Sequence, residues 1–197
     1  NRMSKGGSIV YCTSTAGLEW KRFKKEQNKV VHAKTWEEVE EVTRKLASSA
    51  PATFAYMYSK RCLSQFACEQ AVEFAKLGIR INNVLPASTD TGMKQEFQDM
   101  IGSEKELIAQ AGLAGRLASP EEMAYPMVFL NSEMSSFISG LDMVVDYTDT
   151  CLKTLGLKKN IEAISATNPI ICAIAKKMLT KSANNNRALN PSSSEQK

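Results

Sequence analysis

Short apolar runs alternate along this chain with longer stretches of helical period. Ser8–Cys12, Ile79–Leu85 and Leu141–Asp146 have the length and apolar content of strands buried on both faces, as in a parallel sheet. Thr35-Trp36-Glu37-Glu38 reads as a capping box, with Thr35 as N-cap and Glu38 reaching back. Trp36, Val39, Thr43 and Leu46 then share one face of a short helix that ends before Ser48-Ser49-Ala50-Pro51. From Phe54 to Leu77 the chain is apolar on nearly every side, which predicts a long helix buried between a sheet and a neighbour. Thr91 to Gln110 reads as a helical lid. Ser119-Pro120-Glu121-Glu122 is a second capping box, with proline at the first helical position of a helix reaching about Asn131. Leu18 to Val31 is charged and irregular, with Trp20 and Phe23 as its anchors.

The last fifty residues differ in kind. Asn168-Pro169 looks like a cap and an N1 proline opening a helix over 169–181. Ile170, Ile171, Ile174 and Met178 form its apolar face, opposite Lys176, Lys177 and Lys181. From Ser182 onward the composition is that of disorder. Residues 1–150 hold 17 basic and 19 acidic side chains, and residues 151–197 hold 8 and 2, so the net charge of +4 belongs to the tail. Such a helix could dock on an anionic membrane surface, although packing on its own subunit is the favoured reading. No apolar run approaches the ~18 residues of a membrane span. The five cysteines show neither metal-ligand nor disulfide spacing. Together these features favour a cytoplasmic protein of one domain or a little more, without a nucleic-acid partner.

Candidate chemistry lies in three pieces: Ser14, the stretch Tyr56-Met57-Tyr58-Ser59-Lys60, and Pro86-Ala87-Ser88-Thr89-Asp90-Thr91. Reducing a ketone builds negative charge on oxygen, so a proton donor must stand beside it. Tyr56 and Lys60 are four apart and share a helix face. A cation about 5 Å away at an effective dielectric near 20 is worth roughly 3 kcal/mol, enough to lower a phenol's pKa by about two. The Tyr-x-x-x-Lys spacing alone is weak, since roughly half a match arises by chance in a chain of this composition. Tyr56 as a plain core tyrosine, Ser14 as a turn hydroxyl with Thr13 as rival, and Thr91 as a helix cap are the bland alternatives. Tyr58, with no lysine four residues on, reads as a wall residue, and His32 has no readable role.

Order and surroundings decide between them. Gly6 to Gly17, Tyr56 to Lys60, Gly78 to Pro86, Gly115 to Ala124 and Ser136 to Asp146 follow one another as in the C-terminal two-thirds of the short-chain dehydrogenase/reductase family, which residues 5–147 resemble. The resemblance implies an α/β fold, a Rossmann-like doubly wound parallel sheet. It implies NAD or NADP as cofactor, Tyr56 as acid/base and Lys60 as a second contact to the nicotinamide ribose. Ser14 would hold the substrate oxygen, and Pro86, Ala87, Thr89 and Thr91 would form the loop that receives the nicotinamide. Ala87 stands where the family usually has glycine, and Tyr147-Thr148 where it has Gly-Gly, so the chain is expected to leave the sheet differently there. The glycine-rich turn that holds the pyrophosphate has no counterpart. The chain therefore reads as a segment lacking about the first hundred residues of such a domain, and as inactive by itself.

The long Ser14-to-Tyr56 gap, carrying an insertion over 19–50, resembles the bacterial 3α-hydroxysteroid dehydrogenase/carbonyl reductase type, where the insertion lies beside the subunit interface. Residues 1–148 are thus read as the Rossmann-like part, with a substrate lid over 91–112, and 149–197 as a basic extension. The function expected is an NAD(P)-dependent oxidoreductase interconverting a secondary alcohol and a ketone, with a hydroxysteroid as one candidate substrate and a homo-oligomer as its assembly. The alternative is a noncatalytic oligomerisation remnant of such an enzyme.

Overall fold

The computed structural model describes residues 3–177. Three parallel strands, β1 (Ser8–Cys12), β2 (Arg80–Pro86) and β3 (Asp142–Val145), form one sheet in the order β1-β2-β3. Between β1 and β2 lie a 3-10 turn (Thr15–Lys21) and the helices α1 (Lys24–Val31), α2 (Trp36–Ser49) and α3 (Ala52–Ala75). Between β2 and β3 lie α4 (Lys94–Ile101), α5 (Glu104–Ala109) and α6 (Pro120–Asn131), and α7 (Asp149–Thr154) follows β3. This is the α/β, Rossmann-like parallel architecture that the resemblance implies.

Side-chain alternation along the strands assigns the two faces. Ile9, Tyr11 and Ile81 point to one side and pack on Ala67, Ala71 and Phe74 of α3. Ser8 and Arg80, in register with each other, point to the other side. There Ser8 donates to the Leu130 carbonyl, and Arg80 donates to Leu130, Ser132 and Ser135 at the end of α6. The sheet is therefore sandwiched between α3 and α6.

A second core joins the insertion to the C-terminal extension. Leu46, Ala50, Phe54, Met57, Tyr58 and Cys62 pack with Ala166 and Cys172. The stretch 18–31, expected to be irregular, is the 3-10 turn plus α1, with Trp20 buried and Phe23 half-buried. In α2 the inward residues are Val39, Val42 and Leu46, while Trp36 is 69% exposed and turned outward to Glu40. Trp36 and Thr43 thus do not belong to the apolar face. The Thr35 hydroxyl caps Glu38, but the Glu38 carboxylate accepts from Lys34 instead, so only the Ser119/Glu122 box closes both ways. Residues 169–177 are helical. Their inward side is Ile171, Cys172 and Ala175, whereas Ile170 and Ile174 face outward. Met178 and the disorder expected from Ser182 lie outside the described residues.

Candidate active site

Parallel strands place their C-terminal ends at one edge of the sheet, and the expected site residues collect there. β1 ends at Cys12 opposite Val84 of β2, so the segment starting at Ser14 and the loop starting at Pro86 leave the sheet side by side. Such a crevice outside the carboxyl ends of strands is where open α/β sheets bind ligands.

Ser14 is fixed by its neighbours in sequence. Its backbone is extended, and it caps the 3-10 turn, accepting from the Ala16 amide at 3.2 Å while its carbonyl accepts from Gly17 at 2.9 Å. Gly17 is buried against α3, where a Cβ would come within 2.8 Å of both the Lys60 carbonyl and the Ser64 hydroxyl. Only glycine lets the turn lie directly on the helix. At its far end Trp20 is buried and donates to Asp142 of β3 at 2.9 Å, and Asn83 donates to the other oxygen of that carboxylate at 2.7 Å. Thr13 is no competitor, because it is buried with its hydroxyl donating to the Val84 carbonyl.

These constraints bring the Ser14 side chain near the Tyr56 phenol. Burial raises the phenol's pKa above its ordinary value, the Ser14 side chain pulls in the opposite direction, and Cys12 adds a further rise. Lys60 meets Tyr56 through the ring, its ammonium 5.5 Å from the ring centroid. The acidification expected from Lys60 is therefore not what sets this phenol: the cation lies over the ring, and the net shift is upward. Phe97 of α4 closes the other side, edge-on at 5.3 Å between centroids. Nothing in the sequence marked Phe97, since its contact depends on how the lid helix crosses α3. Tyr58 does not line the site. It is buried, donates to the Glu26 carbonyl at 3.0 Å, and ties α3 to α1.

The loop 86–91 is held in place by backbone. Ala87 donates to Val145 of β3, Thr89 bridges to Ala118, and Asp90 donates to the Ala118 carbonyl. The Thr89 hydroxyl turns back to the Ala87 carbonyl, and the Thr91 hydroxyl accepts from the Met93 amide ahead of α4. Pro86, Ala87 and Thr89 are half-buried and Thr91 is exposed at the mouth.

A family model described as enoyl-(acyl carrier protein) reductase matches residues 46–147, just over half of the chain. The chain belongs to the short-chain dehydrogenase/reductase family. Cyclopentanol dehydrogenase of a Comamonas species is 37% identical over 97 residues, covering 49% of this chain and 38% of that protein. Coniferyl-alcohol dehydrogenase of a Pseudomonas species is 32% identical over 153 residues, covering 74% of this chain and 56% of that one. A crystal structure of a short-chain dehydrogenase family protein from Francisella tularensis superimposes with a TM-score of 0.51 at 26% identity, over 75% of this chain and 52% of that chain. The chain thus spans between 38% and 56% of the length of these two curated relatives.

At the exit from β3, Tyr147 and Thr148 both have positive φ, 42° and 78°, the left-handed backbone that glycine adopts without cost. With two residues other than glycine there, that path is strained. Among the described residues, no strand leads through a glycine-rich turn into a helix N-terminus able to hold a pyrophosphate. The residues present fit the nicotinamide end of a dinucleotide: Lys60, and the loop 86–91 with its two threonines.

Proposed function

We propose that these residues belong to an NAD(P)-dependent oxidoreductase that interconverts a secondary alcohol and a ketone. The observation that carries this reading is Tyr56 with the Lys60 ammonium 5.5 Å from its ring centroid, one helix turn apart, next to the Ser14 turn at the carboxyl edge of a parallel sheet. When bound, the nicotinamide supplies a hydride to the carbonyl carbon. Tyr56 gives its proton to the oxygen, Ser14 holds that oxygen, and Lys60 with Pro86, Ala87, Thr89 and Thr91 orients the nicotinamide and its ribose. Phe97 and the lid exclude water from the reacting atoms. Relatives named for cyclopentanol and coniferyl alcohol support alcohol chemistry. A hydroxysteroid is supported only by the layout of the insertion between Ser14 and Tyr56, which resembles that of the bacterial 3α-hydroxysteroid dehydrogenase/carbonyl reductase type. A homo-oligomer is supported by the exposed Tyr125, Val128, Met134 and Phe137 on and beyond α6.

Residues 1–197 alone are proposed to be inactive, because the nicotinamide-end contacts are too few to offset ordering a whole dinucleotide. Calorimetric titration with NADH and NADPH should show no binding at micromolar concentration, and tight binding of either would overturn that part. Fusing residues 1–197 behind the dinucleotide-binding half of a relative should yield ketone-dependent oxidation of the reduced cofactor. In that fusion Tyr56→Phe should lower kcat about a hundredfold or more with little change in KM, because the proton transfer belongs to the transition state. Equal turnover would remove Tyr56 from the reaction. The second reading, a noncatalytic interaction module, is favoured by the lack of a pyrophosphate receptor among the described residues. A folded but inactive fusion would support it.

A further inference from the structure

The C-terminal extension reaches three elements that carry the site, one through a cluster of ions and two through hydrogen bonds beside that cluster. The cluster is centred on Asp149, 1% exposed at the start of α7. Asp149 pairs with Lys153 at 2.7 Å and with Lys158. A carboxylate at this depth is tolerated only with such partners. Lys158 also donates to the Ala109 carbonyl at 2.7 Å, which is the end of the lid helix α5. Lys153 also pairs with Glu162 at 2.8 Å, so two lysines balance two carboxylates.

From Glu162 hydrogen bonds continue to α3. The backbone carbonyls of Glu162 and Ile164 accept from Arg61, which is fully buried, stacked on Phe23 at 4.4 Å, and adjacent to Lys60 in the chain. Two residues earlier, Asn160 donates to Glu19 at 2.9 Å, in the 3-10 turn that Ser14 opens. The end of the lid is also seated on the exit from β3, just ahead of the extension. Leu113 donates to the Tyr147 carbonyl, and a Cβ on Gly112 would overlap that carbonyl.

We propose that residues 149–166 act as a clasp that sets the spacing of the lid, the Ser14 turn and the Tyr56 helix, with Asp149 as its positioning residue. Each tie goes to a different element, and no other described segment touches all three through side-chain ions or amides. The clasp gains its meaning from the reading of Ser14 and Tyr56 as a reacting pair, but it can be tested without cofactor or turnover.

Amide exchange and tyrosine NMR on the full chain decide it, with the Tyr56 signal assigned by its loss in Tyr56→Phe. Asp149→Asn should speed exchange about tenfold or more at 104–113 and at 16–17 while leaving the β2 amides unchanged. It should also move the Tyr56 titration upward, because the Ser14 side chain, whose influence opposes that of burial, is loosened. Lys158→Ala should affect 104–113 alone, and Asn160→Ala should affect 16–17 alone. Unchanged exchange at both places, or a uniform rise that includes β2, would overturn the clasp. If Asp149→Asn does not fold, the two single-tie variants decide, and crossed or absent effects refute it. An inactive fusion protein with this exchange pattern intact would count against the proposed chemistry and not against the clasp.

Discussion

The turn after β1 and the segment after β3 leave the same edge of the same sheet, yet they are held in opposite ways. Ser14 to Gly17 is shaped by near neighbours: a serine cap, a backbone hydrogen bond, and a glycine without a Cβ where the helix passes. Tyr147 to Glu162 holds a left-handed path with two residues unsuited to it, and is kept there by a buried carboxylate that pairs with lysines four and nine residues further on. The first region tolerates little because its contacts are backbone on backbone. The second tolerates strain because its ion network overdetermines the path. Site geometry here depends on both, since the second region grips the elements that the first one aligns.

Four substitutions test that contrast, the largest effect first. Arg61→Ala removes the cation that holds two carbonyls of the extension and leaves the neighbouring carboxylates less balanced, so it should cost about 3–4 kcal/mol in urea unfolding. A loss below about 1 kcal/mol would mean that the extension is only loosely attached. Gly17→Val drives carbon into the Lys60 carbonyl and should cost about 2–3 kcal/mol. It should also shift the Tyr56 titration, and an unmoved phenol would show that the turn can slide on α3 without harm.

Thr148→Gly should run the other way. Relief of the left-handed strain on an exposed, β-branched residue should stabilise the chain by about 1 kcal/mol, seen as a Tm rise of about 2–4 °C. A lower Tm would mean that the path is not strained.

The smallest effect concerns Arg116 and Glu122, an exposed pair at the start of α6. The hydrogen bond from Arg116, then that from the Ser119 backbone, holds the Glu122 carboxyl down at about 2, against an ordinary 4.5. Its folded pKa lies below the unfolded one, so the stability it adds is present above pH 4.5 and is lost as the pH falls towards 2. Because the pair is solvated, the change should be slight, and Arg116→Met should flatten that part of the acid profile. An identical profile in the variant would show the pair to be energetically silent.

The sequence by itself determined the features whose cause is local. Apolar runs located the three strands, Ser119-Pro120-Glu121-Glu122 located the start of α6, and Tyr56 with Lys60 four residues on located one face of α3. Ser14 could be preferred over Thr13 from its place before Gly17, and the reason became visible only when Gly17 met the Lys60 carbonyl. The rest depended on how the elements pack against one another. Trp36 looked like a core residue by period, but the extension and α3 cover the side bearing Val42 and Leu46, so the ring faces outward. Phe97 reached Tyr56 through a crossing of helices that no spacing encodes. Lys60 came to lie over the ring of Tyr56, so burial and Ser14 set the phenol's acidity. Only packing buried Asp149, with Lys153 and Lys158 paired to it and Glu162 paired to Lys153. Periodicity and caps are written in neighbours a few residues apart, whereas burial of charge depends on which distant surfaces meet, and that is decided only when the chain closes on itself.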